Sequence, residues 1–194
     1  MLDSLLLTSP VNFAGEHELL ETMFEKYPFS LHVRKPGFSE GSLEKYLLGL
    51  NEDIRSVAVL HGSAEMAQSF GMAGVALPAS HILGGVEVPC DLKKFAWCRS
   101  LEEVSALPQV DGAILFPVFD SLTEIGAKGQ FAGQKVQNLS KNRVFAAGGI
   151  SEDEFKEVAS LGYTGVALCG SVWNYADPVP AWNRICRKIM MCGF

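Results

Sequence analysis

The chain has 194 residues, 48% hydrophobic and 20% charged, enough apolar sequence for one substantial core and, by expectation, a single domain over 1–194. Sixteen Lys and Arg against 22 Asp and Glu give a formal net charge of −6, which excludes a broad basic face for nucleic acid or an anionic membrane. No apolar run approaches the roughly 20 residues needed to cross a bilayer, so no membrane partner is expected either.

The opening MLDSLLLTSP carries Asp3 and only a short leucine run. It lacks the basic start and long apolar stretch of a secretory leader and reads as a first strand, Ser4 to Thr8. Leu19, Leu20, Met23, Phe24 and Tyr27 follow on one helical stripe, then an apolar run from Phe29 to Arg34, then a second stripe of Leu43, Tyr46, Leu47 and Leu50. Further runs extend over Arg55 to His61, Gly74 to Pro78, Lys94 to Arg99, Asp111 to Phe119, Arg143 to Ile150 and Gly165 to Trp173, eight in all. Segments such as Val57-Ala58-Val59-Leu60 and Ala113-Ile114-Leu115-Phe116 show little polar alternation, as expected of parallel strands covered on both faces.

Ser100-Leu101-Glu102-Glu103 and Ser151-Glu152-Asp153-Glu154 each follow an apolar run and fit a capping box, marking helix starts. Asp177-Pro178 opens a last helix with Trp182, Ile185, Cys186 and Ile189 on one face. Two places break the alternation. Ala79 to Leu92, with Gly84-Gly85 and Pro89, reads as a shortened connection, and Thr123 to Ala132, with Gly126, Gly129 and nearby Gly133, as a candidate lid. Eight strand–helix units in this length predict a compact (β/α)8 barrel, with a doubly wound open sheet as the runner-up.

Five cysteines, Cys90, Cys98, Cys169, Cys186 and Cys192, are odd in number and show no C-x-x-C spacing. Neither a disulfide framework nor a zinc site is indicated, and a reducing, cytoplasmic setting is expected. The thiols read as small core residues with a loose one at Cys192.

In such a barrel the chemistry gathers where the strands end. The ends carry His32 and Arg34, His61, Pro78, Arg99 and Asp120, while Gly148-Gly149-Ile150 and Cys169-Gly170-Ser171 close the last two runs. Glycine turns before helix starts suit an anion, so the last two turns read as a phosphate cradle, with two ordinary tight turns as the plainer reading. Arg34 suits a phosphate or carboxylate clamp, or else is a surface charge beside Lys35 and Pro36. His32 and His61 are candidate acids or bases, or satisfied structural histidines. His17, on a polar helix face, and His81, in an irregular loop, are weaker candidates, and Trp97 and Trp173 are expected in the core. Lys35 and Lys128 read as loop residues and Lys94 as a strand start, which leaves no lysine inside the barrel for Schiff-base chemistry. Only Asp120 joins the histidines as a metal ligand type at strand ends.

Leu31-His32-Val33-Arg34-Lys35-Pro36, Gly74-Val75-Ala76-Leu77-Pro78, Ser100-Leu101-Glu102-Glu103, Pro117-Val118-Phe119, Ala147-Gly148-Gly149-Ile150 and Gly165-Val166-Ala167, in that order and spacing, resemble the signature strands of the thiamine phosphate synthase/TenI superfamily. The synthases join an aminopyrimidine methyl diphosphate to a thiazole phosphate with loss of pyrophosphate. TenI relatives include an enzyme that tautomerises a thiazole carboxylate phosphate to its aromatic form. The resemblance implies that Arg34 corresponds to the family's diphosphate-binding arginine, His32 to the polar residue two before it, and Gly148 and Gly149 to the phosphate-binding glycines.

The departures fall on the chemistry. His61-Gly62 stands where the synthases have Asn-Asp, whose carboxylate helps hold magnesium, and the second carboxylate is replaced within Pro78 to His81. The catalytic lysines correspond to Leu122 and Glu124, the final strand's serine to Gly170 with Ser171 adjacent, and a TenI histidine to Arg99. Leu77-Pro78 resembles the TenI branch more closely. Arginine, with a pKa above about 12, binds a second anion but is a poor proton shuttle, so His32 or His61 would move the proton. The implied function is a thiamine-biosynthesis barrel that takes a small phosphorylated thiazole or pyrimidine ligand, with synthase-type or tautomerase-type chemistry. No cofactor is required, magnesium entering only if synthase activity is retained, and a homodimer is allowed. The alternative is a catalytically degenerate phosphate-binding or regulatory barrel.

Overall fold

The computed structural model describes residues 3–123 and 126–192, with Cys192 described by its backbone alone. Glu124 and the Cys192 thiol, both singled out above, lie outside the described residues. Eight strands follow in order: β1 Asp3–Leu7, β2 Ser30–Val33, β3 Val59–His61, β4 Gly74–Pro78, β5 Lys93–Cys98, β6 Gly112–Leu115, β7 Val144–Ala147 and β8 Gly165–Leu168. Each pairs in parallel with the next, and β8 returns to β1 with Asp3 opposite Gly165, which closes the barrel and excludes the open sheet. Around it lie α1 Glu16–Lys26, α2 Glu40–Gly49, α3 Glu52–Val57, α4 Ala64–Ser69, α5 Ala79–Leu83, α6 Leu101–Ala106, α7 Phe155–Ser160, α8 Gly170–Trp173 and α9 Pro178–Cys192. The architecture is a (β/α)8 barrel.

Strand alternation divides the core in two. Leu6, Leu31, Leu60, Val75, Ala96, Ala113, Ala146 and Val166 face the helices, joined by Leu20, Met23, Phe155, Trp182 and Ile185. Leu5, Leu7, Val59, Ala76, Phe95, Ile114, Phe145, Ala147 and Ala167 fill the interior. Phe95 and Phe145 plug its lower half because the neighbouring strands carry glycine. A Cβ on Gly112 would lie 2.7 Å from the Phe95 ring and 2.9 Å from that of Phe145, and one on Gly165 would lie 2.6 Å from Phe145.

Several sequence readings shift in detail. Arg55 to Val57, read as the start of a strand, end α3, whose first turn is capped by the Asn51 side chain accepting from Asp53 N–H at 2.9 Å. Trp173, assigned to the last strand, lies in α8 because the chain turns at Gly170. The shortened connection contains one helical turn, α5, with His81 exposed on it. Among the described residues no helix joins β6 to β7. His17, expected on a polar face, packs its ring 4.5 Å from that of Tyr46. Ser100 caps α6 as expected, accepting from Glu103 N–H at 3.2 Å, but the Glu103 carboxylate reaches Arg99 N–H at 2.6 Å, one residue upstream of the cap. Ser151 and Glu154 do bond to each other, yet α7 begins only at Phe155, so a non-helical turn separates it from Gly148-Gly149.

Phe145→Ala empties the space that the glycines leave for the ring and is expected to cost about 3–5 kcal/mol in urea unfolding. Leu48→Ala, on an exposed helix face, should stay within about 0.5 kcal/mol. A Phe145 variant as mild as the Leu48 control would contradict the interior packing.

Candidate functional site at the barrel mouth

A cavity of about 580 Å³ opens at the C-terminal ends of the strands. Alternation determines its lining: Leu7 ends β1, Arg34 follows His32, Trp97 and Arg99 follow Phe95, Phe116 follows Ile114, and Cys169 follows Ala167. The turns contribute Gly148, Gly149 and Gly170, and the segment between β6 and β7 contributes Leu122, Thr123, Lys128 and Gln130 as a wall. A slightly larger cavity, about 610 Å³, lies at the opposite end among Asp3, Lys93, Asp111 and Arg143. There Arg143 is already paired with Asp3, and barrels of this kind carry their chemistry at the other mouth.

The glycines are sterically required. Gly148 and Gly149 have φ of 90° and 67°, which side chains disfavour. A Cβ on Gly148 would come 3.0 Å from the Phe116 ring and from Pro117 Cα, and one on Gly149 would collide with the Asp120 carbonyl oxygen. The backbone is zipped here, Val118 N–H donating to Ala147 O at 2.8 Å and Phe119 N–H to Gly148 O at 3.0 Å. Gly170 lets Leu122 and Thr123 approach, where a Cβ would be 3.0 and 2.9 Å away.

Arg34 is exposed into the cavity, its guanidinium 5.5 Å from the Trp97 ring centre. Its backbone is clasped by Thr8, whose hydroxyl accepts from Arg34 N–H and donates to Arg34 O, each at 3.0 Å. Lys35, read from sequence as a loop lysine, is buried. It pairs with Glu16 at the start of α1, with side-chain exposures of 0% and 2%, and donates to Ser9 O at 2.9 Å, while Glu16 accepts from Ser9 N–H at 2.9 Å. The Tyr46 ring lies 4.5 Å from the ammonium. Burial lowers the Lys35 pKa, and the Glu16 carboxylate opposes that shift. Strand parity held the signal, since Leu31, Val33 and Lys35 share the helix-facing side. Lys128 pairs with Asp120 at 2.6 Å, an exposed contact worth little.

The histidines form a pair behind this lining. His32 Nδ1 and His61 Nε2 are 3.0 Å apart, His32 fully buried against Phe95 and His61 half-buried against Trp97, with ring centres 4.8 and 5.3 Å apart respectively. Burial, and then the neighbouring His61, lower the His32 pKa well below its ordinary value. Burial, and then the Arg34 charge, push His61 down to about 3. Both are neutral at pH 7, so one ring donates to the other. Arg34, Arg99, Gly148, Gly149 and Gly170 therefore meet in one cavity, whereas His32, His61 and Ser171, the last buried in α8, are not in its lining.

Sequence reasoning missed several lining residues, Phe116 among them. Trp97, expected in the core, stands half-buried at the mouth. Cys169 also lines the cavity, its Sγ 3.8 Å from Thr8 O and its thiol pushed by burial up to about 11. The donors do not suit magnesium. β3 and β4 end in His61 and Pro78, Asp120 is held by Lys128 and by Gly129 N–H at 2.9 Å, and no metal-holding group of His, Cys, Asp or Glu occurs among the described residues. Leu122 lines the cavity with an apolar side chain.

No protein-family model and no curated protein sequence matches the chain. Solved structures do. Thiamine phosphate pyrophosphorylase from Pyrococcus furiosus is similar with a TM-score of 0.78 at 20% identity, covering 98% of this chain and 96% of that one. The Bacteroides thetaiotaomicron enzyme of the same name gives 0.71 at 20% identity, with 98% of each chain covered. KGPDC from Streptococcus mutans gives 0.66 at 12% identity, again covering 98% of each. At such identities the likeness establishes the barrel fold.

Lys35→Met leaves Glu16 as an unpaired buried carboxylate and is expected to cost about 3–5 kcal/mol in urea unfolding, with Glu16→Leu added in the same chain recovering most of it. A single variant within about 0.5 kcal/mol of wild type would contradict the buried pair. The histidines also predict a pH window. Their folded pKa values lie below the unfolded value of about 6.5, so the unfolded state takes up more protons as pH falls. Their contribution is complete above about pH 6.5 and is lost progressively toward about 3. The thermal midpoint should therefore fall between pH 7.5 and 5, less steeply in His32→Gln; equal slopes in the two proteins would contradict this account.

Proposed function

We propose that the chain is a thiamine-biosynthesis barrel that binds a thiazole phosphate or thiamine phosphate at its C-terminal mouth. One observation carries the reading: Arg34 and Arg99 share a single cavity with the Gly148-Gly149 and Gly170 turns, on a chain whose net charge is −6. Guanidinium groups and glycine turns suit a phosphate, and a second arginine suits another anion on the same ligand. The resemblance of the signature strands supplies the thiazole. The likeness to thiamine phosphate pyrophosphorylases supports it at the level of the fold.

The site favours proton transfer over ionisation of a diphosphate. Ionisation develops charge on a leaving pyrophosphate, and the carboxylates that would hold magnesium there are absent from β3 and β4. A tautomerase-type step needs only an anchored phosphate and a group that moves a proton. One observation favours the second reading, a binding or regulatory barrel without turnover: His32 and His61 are neutral and stand behind the lining. Either role suits a cytoplasmic protein, as a monomer or homodimer.

Calorimetric titration with thiazole phosphate, thiamine phosphate and aminopyrimidine diphosphate, each with and without magnesium, tests the proposal. A thiazole-bearing phosphate should bind saturably with a Kd indifferent to magnesium, and Arg34→Ala should weaken it by about 1.5–3 kcal/mol. Magnesium-dependent turnover of the diphosphate would overturn the metal-free reading, and no binding of any of the three would overturn the thiamine assignment.

A further inference from the structure

Two aromatic rings lie side by side in the lining of the mouth. Trp97 and Phe116 have ring centres 5.5 Å apart and planes inclined by 36°, a shallow tilted shelf rather than an edge-to-face core contact. The shelf is continuous with the proposed phosphate site at both ends. At one end the Arg34 guanidinium lies 5.5 Å from the Trp97 ring centre. At the other, Gly148 stands so close to Phe116 that a Cβ there would be 3.0 Å from the ring. A ligand whose phosphate reaches the glycine turn therefore has aromatic side chains beside it in the same cavity.

The shelf is also braced from beneath. Trp97 packs against His61, whose Nε2 is 3.0 Å from His32 Nδ1, and His32 rests on Phe95. The buried histidine pair, which does not line the cavity, thus backs the Trp97 ring through the T-shaped contact of His61, itself hydrogen-bonded to His32.

We propose that Trp97 and Phe116 are specificity-determining residues that stack the planar heteroaromatic ring of a phosphomonoester and so separate aromatic from sugar phosphates. The inference rests on the mouth being a phosphate site, as proposed above. Stacking contributes because the ring replaces water on an apolar face, and it adds a dependence on the ligand's ring that the cations and glycines do not supply.

Titrations with thiazole phosphate, ribose 5-phosphate and inorganic phosphate separate the two claims. Wild type should bind thiazole phosphate roughly tenfold more tightly than ribose 5-phosphate. Trp97→Leu should abolish that preference, thiazole phosphate and ribose 5-phosphate then binding with equal affinity. Trp97→Phe keeps a ring and the fold, so it should retain the preference to within about threefold. Equal affinity of wild type for the two organic phosphates would overturn the stacking inference and leave the phosphate site standing. So would a preference that survives Trp97→Leu or is lost in Trp97→Phe. Failure of wild type to bind any of the three would overturn the phosphate reading on which it rests.

Discussion

Closure of eight parallel strands is the constraint from which the rest follows. A closed sheet has a fixed interior, so alternate residues on every strand must fill it, and the last inward residue of each strand becomes the mouth. β5 shows the whole progression: Phe95 plugs the lower barrel against Gly112, Trp97 lines the cavity, and Arg99 follows as a cation. From β2, His32 is sealed in the interior and Arg34 emerges. The packed interior and the cavity lining thus occupy successive inward positions of the same strands, two residues apart.

Electrostatics then select which charges remain available at that mouth. Lys35 and Arg34 are adjacent in sequence and opposite in fate. Lys35 turns toward the helices, loses its hydration and is matched by Glu16, tying the end of β2 to α1 and to the chain after β1. Arg34 turns into the cavity, with only its backbone held, by Thr8. Its charge helps keep His61 neutral. Arg99 is anchored in the same manner, by a bond from its N–H to Glu103, while its side chain lines the cavity. An acidic protein in this way presents a local positive site without a broad positive field.

The fold was legible because a parallel barrel writes each strand as a short apolar run, and the number of runs set the strand count. Boundaries were less legible where apolar residues continue past the strand. Val57 is apolar but belongs to a helix that Asn51 caps, and Val172 and Trp173 follow a glycine that turns the chain into α8. Arg34, Arg99 and the glycines were legible as strand-end residues. Trp97 was not, because residue type alone suggests core; its parity with Phe95 and Arg99 was the better guide. The Lys35–Glu16 and His32–His61 contacts join residues 19 and 29 positions apart, and no local spacing encodes such pairings.

The central claim is that the C-terminal mouth holds a phosphorylated aromatic ligand. A crystal structure of the protein grown with thiazole phosphate measures this most directly. The account predicts the phosphate against the Gly148-Gly149 and Gly170 turns within reach of Arg34, with the ring across Trp97 and Phe116. Ligand bound instead in the opposite cavity, among Lys93, Asp111 and Arg143, would contradict it.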